Sequence, residues 1–228
     1  MIGTIFNTAM IIVGSLIGSL FKRGLKESYH RILMQALGLA VVLLGINTTI
    51  THMADSKYPV LFIVSLALGG LIGQALNLEA RFNRLLSRFS GKNNLAQGLS
   101  TAVLLFCIGT LSIVGPIEAA LRHNNTYLFT NGMLDGITSM VLASTFGIGI
   151  MIASVILFSW QGSIYALSLL MQGAISNDLI TELSVVGGIL ILASGLNILE
   201  IKQINTVNLL PALAMPAILL PIIHLVIG

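Results

Sequence analysis

Apolar residues in this chain come in long runs that are apolar on both parities, so neither strict alternation nor a narrow helical stripe describes them. Ile2 to Phe21, Ile32 to Thr51, Pro59 to Leu78 and Leu95 to Ile117 each approach the roughly 20 residues that cross a bilayer core as helix. Thr130 to Met171 is too long for one helix and lacks a charged loop to divide it. The segment "SWQGS" (Ser159 to Ser163) is the predicted break, because Gly162 and the polar pair Ser159 and Gln161 interrupt the pattern. A seventh span follows from Leu183 to Leu199 and an eighth from Asn208 to Ile227. A transmembrane β-barrel would need segments of about ten alternating residues and is rejected. The pattern predicts an all-α, polytopic transmembrane helical bundle of about 7–8 membrane segments, forming one transmembrane domain over residues 1–228.

Weak internal helix-pair repeats run through these spans. "GSLIG" at Gly14 to Gly18 recurs as "GGLIG" at Gly69 to Gly73, each near the end of an odd-numbered span and before a basic loop. "GLAVVLLGIN" (Gly38 to Asn47) recurs as "GILILASGLN" (Gly188 to Asn197), with both glycines and the asparagine in register. Residues 1–51, 59–117 and 130–200 are the expected repeats, with 208–227 as a terminal helix. Repeats of this kind are frequent in transporters, where sites form at repeat interfaces.

Composition fits this picture: 56% of the 228 residues are hydrophobic and 8% charged, with mean hydropathy +0.98. The formal charge of +3 is placed by topology and implies no nucleic-acid partner. Lys22, Arg23, Lys26 and Arg31 follow the first span and Arg81, Arg84, Arg88 and Lys92 the third. Loops 22–31 and 79–94 are therefore expected in the cytoplasm and the N-terminus outside. The first apolar run has no basic stretch ahead of it and is too long for a signal-peptide core, so it reads as a retained helix. The side of the C-terminus depends on whether 162–171 spans or is re-entrant. Cys107, the single cysteine, reads as a buried packing residue.

Candidate chemistry is sparse. Asp135 is the only charged side chain between Asn124 and Asn177. A central Asp costs about 2.5–3.5 kcal/mol on insertion scales, so it needs a compensating environment. Asn131, Thr138 and Ser139 at i−4, i+3 and i+4 give its helix one polar face. Glu118, in "IVGPIEAAL", lies after a break expected at Gly115 and Pro116, and pairs with Arg122 or dips toward Asp135 at a cavity mouth. Asn7, Asn47 and Asn197, with Asn208, read as buried amides able to ligate an ion or solute or to bond between helices. Gly14 with Gly18 and Gly69 with Gly73 have the spacing of close helix contacts, and Gly3 and Asn7 share the stripe of the first pair. The four histidines lack metal-ligand spacing, and no HExxH, GxSxG or phosphate-cradling GxxxxGK[ST] motif occurs, so neither metal, cofactor nor catalytic activity is expected.

Taken together, "GTIFNTAMIIVGSLIG", "ALGLAVVLLGIN", "LDGITSMVLASTFGIGI" and "VGGILILASGLNILEIKQINTVNLLPAL" resemble the YdfK/YqgA family of bacterial inner-membrane proteins. The resemblance covers nearly the whole chain and implies a multi-pass bacterial membrane protein without an assigned activity. Where family members often carry Lys four residues before the acid, this chain has Asn131. Three functions remain open: a transporter or channel for an ion or small solute, with Asp135 as the coupling carboxylate; a scaffold or regulator binding partner helices through its glycine faces; and a lipid-modifying enzyme with Glu118 and Asp135 as an acid pair. The lipid bilayer is the expected partner under each, and a homo-oligomer is compatible with all.

Overall fold

A computed structural model describes residues 1–20, 27–81, 84, 94–171 and 176–227, and among these every regular element is helical. In chain order they are α1 (Ile2–Leu20), α2 (Glu27–Ala54), α3 (Leu61–Leu76), α4 (Asn94–Ile108), α5 (Thr110–Leu121), α6 (Thr126–Phe146), a 3-10 turn (Ile148–Ile152), α7 (Ala153–Met171), α8 (Asn177–Ile198), the short α9 (Thr206–Leu209), a second 3-10 turn (Leu210–Ala214) and α10 (Met215–Ile227). Five stretches are long and apolar enough to cross a membrane: Ile2–Leu20, Met34–Ala54, Ile148–Met171, Asn177–Ile198 and Thr206–Ile223. The α4–α5 pair, bent by 43°, makes a sixth if it counts as one span. The basic loop residues 22–26 and most of 79–94 lie outside the described residues.

Two breaks differ from the sequence reading. The long run from Thr130 to Met171 divides at Gly147, not at Ser159–Ser163. Gly147 has φ +91°, a backbone state that favours glycine, and the 3-10 turn follows it directly. "SWQGS" lies inside unbroken α7 because the helix absorbs its polarity: Ser159 Oγ donates to Val155 O, Ser163 Oγ to Trp160 O, and Gln161 finds a partner on α5. Residues 162–171 are thus the second half of a helix. The fourth apolar run breaks at Gly109 (ψ 139°), while Gly115 and Pro116 lie within α5. The seventh span begins earlier than expected, at Asn177, where Ser176 Oγ caps the helix by accepting from Leu179 N.

The chain falls into two compact units, Met1–Leu37 with Phe82–Leu170, and Gly38–Arg81 with Met171–Gly228. In the first, α1 and α6 run parallel in backbone contact. A Cβ placed on Gly14 would overlap the carbonyl of Gly136, and one on Gly18 the carbonyl of Met140; Gly3 lies against Leu128. The reciprocal glycine of α6, Gly132, is so close that a Cβ there would come within 3.0 Å of Asn7 Cα. Helices α4 and α5 run antiparallel to α6, with Gly98 against Phe146 and Gly115 against Leu128. Ile11, Phe106, Ala143, Ile150 and Leu157 close the apolar core between these elements.

In the second unit α2 and α8 run antiparallel, and their contacts exchange with one another. Gly45 meets the backbone of Leu192 as Gly195 meets that of Val42, and Gly38 meets Leu199 as Gly188 meets Thr49. Helix α3 packs antiparallel on the α9 region, with Gly69 against the backbone of Ala212 and Gly73 against the carbonyl of Asn208. Asn208 fixes this corner: its Oδ1 accepts from Glu79 N (2.9 Å) and its Nδ2 donates to Gln74 Oε1 (3.0 Å).

Overpacking a close contact costs about 1–3 kcal/mol. Gly14→Leu and Gly69→Leu should each lower the amount of folded protein recovered from membranes several-fold, as read by fluorescence size-exclusion chromatography in mild detergent. Gly162→Ala should leave recovery unchanged, since nothing approaches that position more closely than Met1 Cε at 3.9 Å. Wild-type recovery of the two leucine variants would contradict the packing role.

Candidate functional site

Asn131, Asp135 and Ser139 follow one another at four-residue spacing and are all buried on α6. Ser139 needs no outside partner, because its Oγ donates within the helix to Gly136 O (2.8 Å) and lies 3.2 Å from Ile11 O. Asp135 cannot satisfy itself in that way. It is 5% exposed, and its Oδ2 accepts from Asn131 Nδ2 at 3.0 Å. No Lys, Arg or His pairs with it among the described residues.

The glycine contacts of α1 with α6 bring Asn7 to the same place. Asn7 is fully buried and lies within interaction range of the Asp135 carboxyl, yet neither polar atom of its amide is aligned in a hydrogen bond. Thr4, one turn earlier on α1, is also fully buried with its Oγ1 unbonded. Cys107 of α4 lies within electrostatic range of the acid. A carboxyl, two amides and a thiol thus gather in the first unit, with hydrogen-bonding capacity left over on Asn7.

Of the other candidates, Glu118 belongs to the same unit but sits inside α5. It is 4% exposed, with its Oε2 3.9 Å from Arg122 Nε, so it is a buried helix acid and not a loop residue. Asn197 and Asn47 belong to the second unit. Asn197 holds the turn after α8, donating to Ile204 O (2.8 Å) and accepting from Ile204 N (2.7 Å). Asn47 is exposed, contrary to the expectation of a buried amide: Gly38, Gly45 and Thr49 form the side of α2 that meets α8, and Asn47 lies off that stripe.

Residues 2–221, which include every residue of this site, match the family described as "Protein of unknown function (DUF554)". The chain belongs to this family. It is 65% identical over 224 residues to the uncharacterized membrane protein YdfK of Bacillus subtilis (strain 168), covering 98% of this chain and 97% of that one. It is 29% identical over 227 residues to the uncharacterized protein YqgA of Escherichia coli (strain K12), covering 94% and 95%. No solved structure matches the chain. The resemblance drawn from the ordered motifs is therefore correct.

Two buried polar pairs in this DUF554 chain escaped the sequence reading. Gln161, fully buried, donates from Nε2 to Ser112 Oγ at 2.9 Å and keeps its Oε1 unbonded. A break drawn through "SWQGS" had hidden it. Glu182, 2% exposed, accepts from Ser56 Oγ, while Lys57 pairs with Asp178 at 2.9 Å, so the turn after α2 is fastened to the start of α8. The signal was available in an acid four residues after Asp178, lost because the seventh span was begun at Leu183, one residue past Glu182 and six past the start of the helix at Asn177.

Proposed function

We propose that this protein is a transporter for an ion or small solute, with Asp135 as the coupling or binding carboxylate and Asn7 and Asn131 as its immediate shell. The observation that carries the reading is a buried acid in a membrane helix that faces an amide with spare hydrogen-bonding capacity and, among the described residues, has no cationic partner. An acid kept only for packing would be expected to have its partners filled, since an unsatisfied polar group in hydrocarbon is costly. The glycine pairs weaken the scaffold alternative: Gly14, Gly18, Gly69 and Gly73 are all covered by the chain's own helices. The lipid-modifying alternative loses its acid pair, since Glu118 is beside Arg122.

The arrangement of helices supports the same reading. We infer eight membrane segments, counting α3, the α4–α5 pair and α6 as spans, with α1–α2 repeated in inverted topology by α7–α8. The motif glycines and asparagine of α2 recur in α8 at a constant offset of 150 positions. The same offset relates the starts of α2 and α8, Glu27 and Asn177, and the buried faces of α1 and α7: Gly3, Thr4, Asn7, Ile11 and Gly18 against Ala153, Ser154, Leu157, Gln161 and Ser168. The paired contacts of α2 and α8 interchange under it, as a local two-fold axis requires. Helix directions fit eight alternating passes: α1 parallel to α6, α4–α5 antiparallel to α6, α2 antiparallel to α8. Inverted repeats are a recurrent transporter plan with ligand sites near the midplane. Eight passes return the C-terminus to the N-terminal side, outside a bacterial inner membrane by the positive-inside rule.

Flux tests the site. Proteoliposomes are challenged in turn with radiolabelled monovalent cations, amino acids, sugars and organic acids, and lumenal uptake is counted. At least one class should evoke a lumenal signal with wild type; Asp135→Asn should accumulate normally and abolish it, and Asp135→Glu should retain part. Equal signals from wild type and Asp135→Asn, or silence from wild type throughout, contradict the proposal.

Thiol labelling tests the repeat. Lys57 and Lys202 are exposed and lie in turns that the inverted repeat puts on opposite faces. In a Cys107→Ser background, Lys57→Cys should react with a membrane-impermeant thiol reagent in intact spheroplasts, and Lys202→Cys only after the membrane is opened. Labelling of both from the same side would overturn the inverted topology.

A further inference from the structure

We infer that the ion taken up at Asp135 is a proton and that Asn7 is the residue that accommodates both protonation states. The inference deepens the transport reading, on which it rests for its use in flux.

Ligand supply decides against a metal ion. Hard cations take about six or more oxygen ligands. Helices α1 and α6 are unbroken at this level, so their carbonyls are engaged in the helix ladders, and Ile11 O and Gly136 O also face the Ser139 hydroxyl. Among the described residues the remaining oxygens are those of Asp135, of which Oδ2 already accepts from Asn131, the amide oxygens of Asn7 and Asn131, and Thr4 Oγ1 one turn away, still short of about six. The two helices are in close contact on either side of the acid: a Cβ on Gly132 would come within 3.0 Å of Asn7 Cα, and one on Gly136 within 3.0 Å of Met10 Cε. A proton needs one oxygen and no coordination shell.

The Asn7 amide supplies what the two protonation states require. Toward a carboxylate it donates from Nδ2; toward a carboxylic acid it rotates and accepts the new O–H at Oδ1. Asn131 stays a donor to Oδ2 in both. Binding is a simple transfer, carboxylate plus hydronium to carboxylic acid plus water: one O–H bond breaks on hydronium and one forms on Asp135, with no change of oxidation state. Few other groups interfere. Helix α1 and the 3-10 turn against α6 carry no titratable side chain, α4 contributes Cys107, and α5 contributes Glu118, held beside Arg122.

Infrared spectroscopy of purified protein in lipid reads the carboxyl directly, without transport. The chain has three aspartates, Asp55, Asp135 and Asp178. With carbon-13 aspartate in an Asp55→Asn, Asp178→Asn background, Asp135 is the only labelled carboxyl, and the site itself is untouched. We expect a labelled carboxylic-acid C=O band that converts to the carboxylate band as pH rises. Asn7→Leu should move the pH of that conversion, and Asn7→Gln should largely restore it. Sodium, potassium, lithium and magnesium should change neither the band nor the thermal midpoint. A carboxyl ionised from mildly acidic to mildly alkaline pH, a band erased by one of these cations, or a titration indifferent to Asn7→Leu would overturn the inference. A titrating band in a protein that moves no solute would leave the proton site standing and remove the transporter.

Discussion

Backbone contact between α1 and α6 is the constraint from which the site follows. In lipid, helices gain nothing by hiding apolar surface from one another, so association rests on close packing and on polar bonds between helices. Gly14 and Gly18 let α1 rest on the carbonyls of Gly136 and Met140, and Gly132 admits α1 at the level of Asn7. With side chains at those positions the helices would stand apart and Asn7 would no longer be held against the Asp135 carboxyl. The second unit uses the same device twice, at Gly45 with Gly195 and at Gly69 with Gly73.

Within that packing, polar residues sort by what they can do alone. Hydroxyls settle on their own helix: Thr8, Thr48, Thr49, Ser144, Ser154, Ser159, Ser184 and Ser194 each donate to a carbonyl three or four residues back. Amides and carboxyls have too many atoms for one helix carbonyl to satisfy, and several look across to other segments. Asn197 and Asn208 find backbone in turns, Gln161 finds Ser112, and Glu182 finds Ser56. Asn131 bonds the acid from the same helix, and Asn7 faces it from α1 with neither polar atom aligned in a bond, which separates these two from the structural asparagines.

The helical character and the bounds of α1 and α3 were legible in the sequence because bilayer thickness fixes the length of an apolar run. Asp135 was legible because an acid inside such a run is rare. The breaks were not: polar residues at Ser159–Ser163 look like a loop, whereas Gly147 and Gly109 look like any other glycine, and a positive φ has no compositional mark. Partnership was hidden as well. Nothing local to Asn7 shows that its helix lies against one that begins at Thr126, and nothing local to Asn47 shows that the residues meeting α8 pass it by. The repeat of Gly38 to Asn47 in Gly188 to Asn197 was visible as a pattern, but that the two copies touch each other is known only from the fold.

In the proposed mechanism Asn7 and Asp135 are two halves of a single proton-handling contact. Exchanging them, with Asn7→Asp and Asp135→Asn in one chain, moves the carboxyl from α6 to α1 while keeping a carboxyl facing an amide across the same interface. The decisive measurement is the infrared titration of that double variant, with the transferred aspartate as the labelled carboxyl. We expect a carboxylic-acid band that titrates near the wild-type position, where Asp135→Asn alone shows none. A double variant that folds as wild type yet keeps its carboxyl ionised throughout would contradict it.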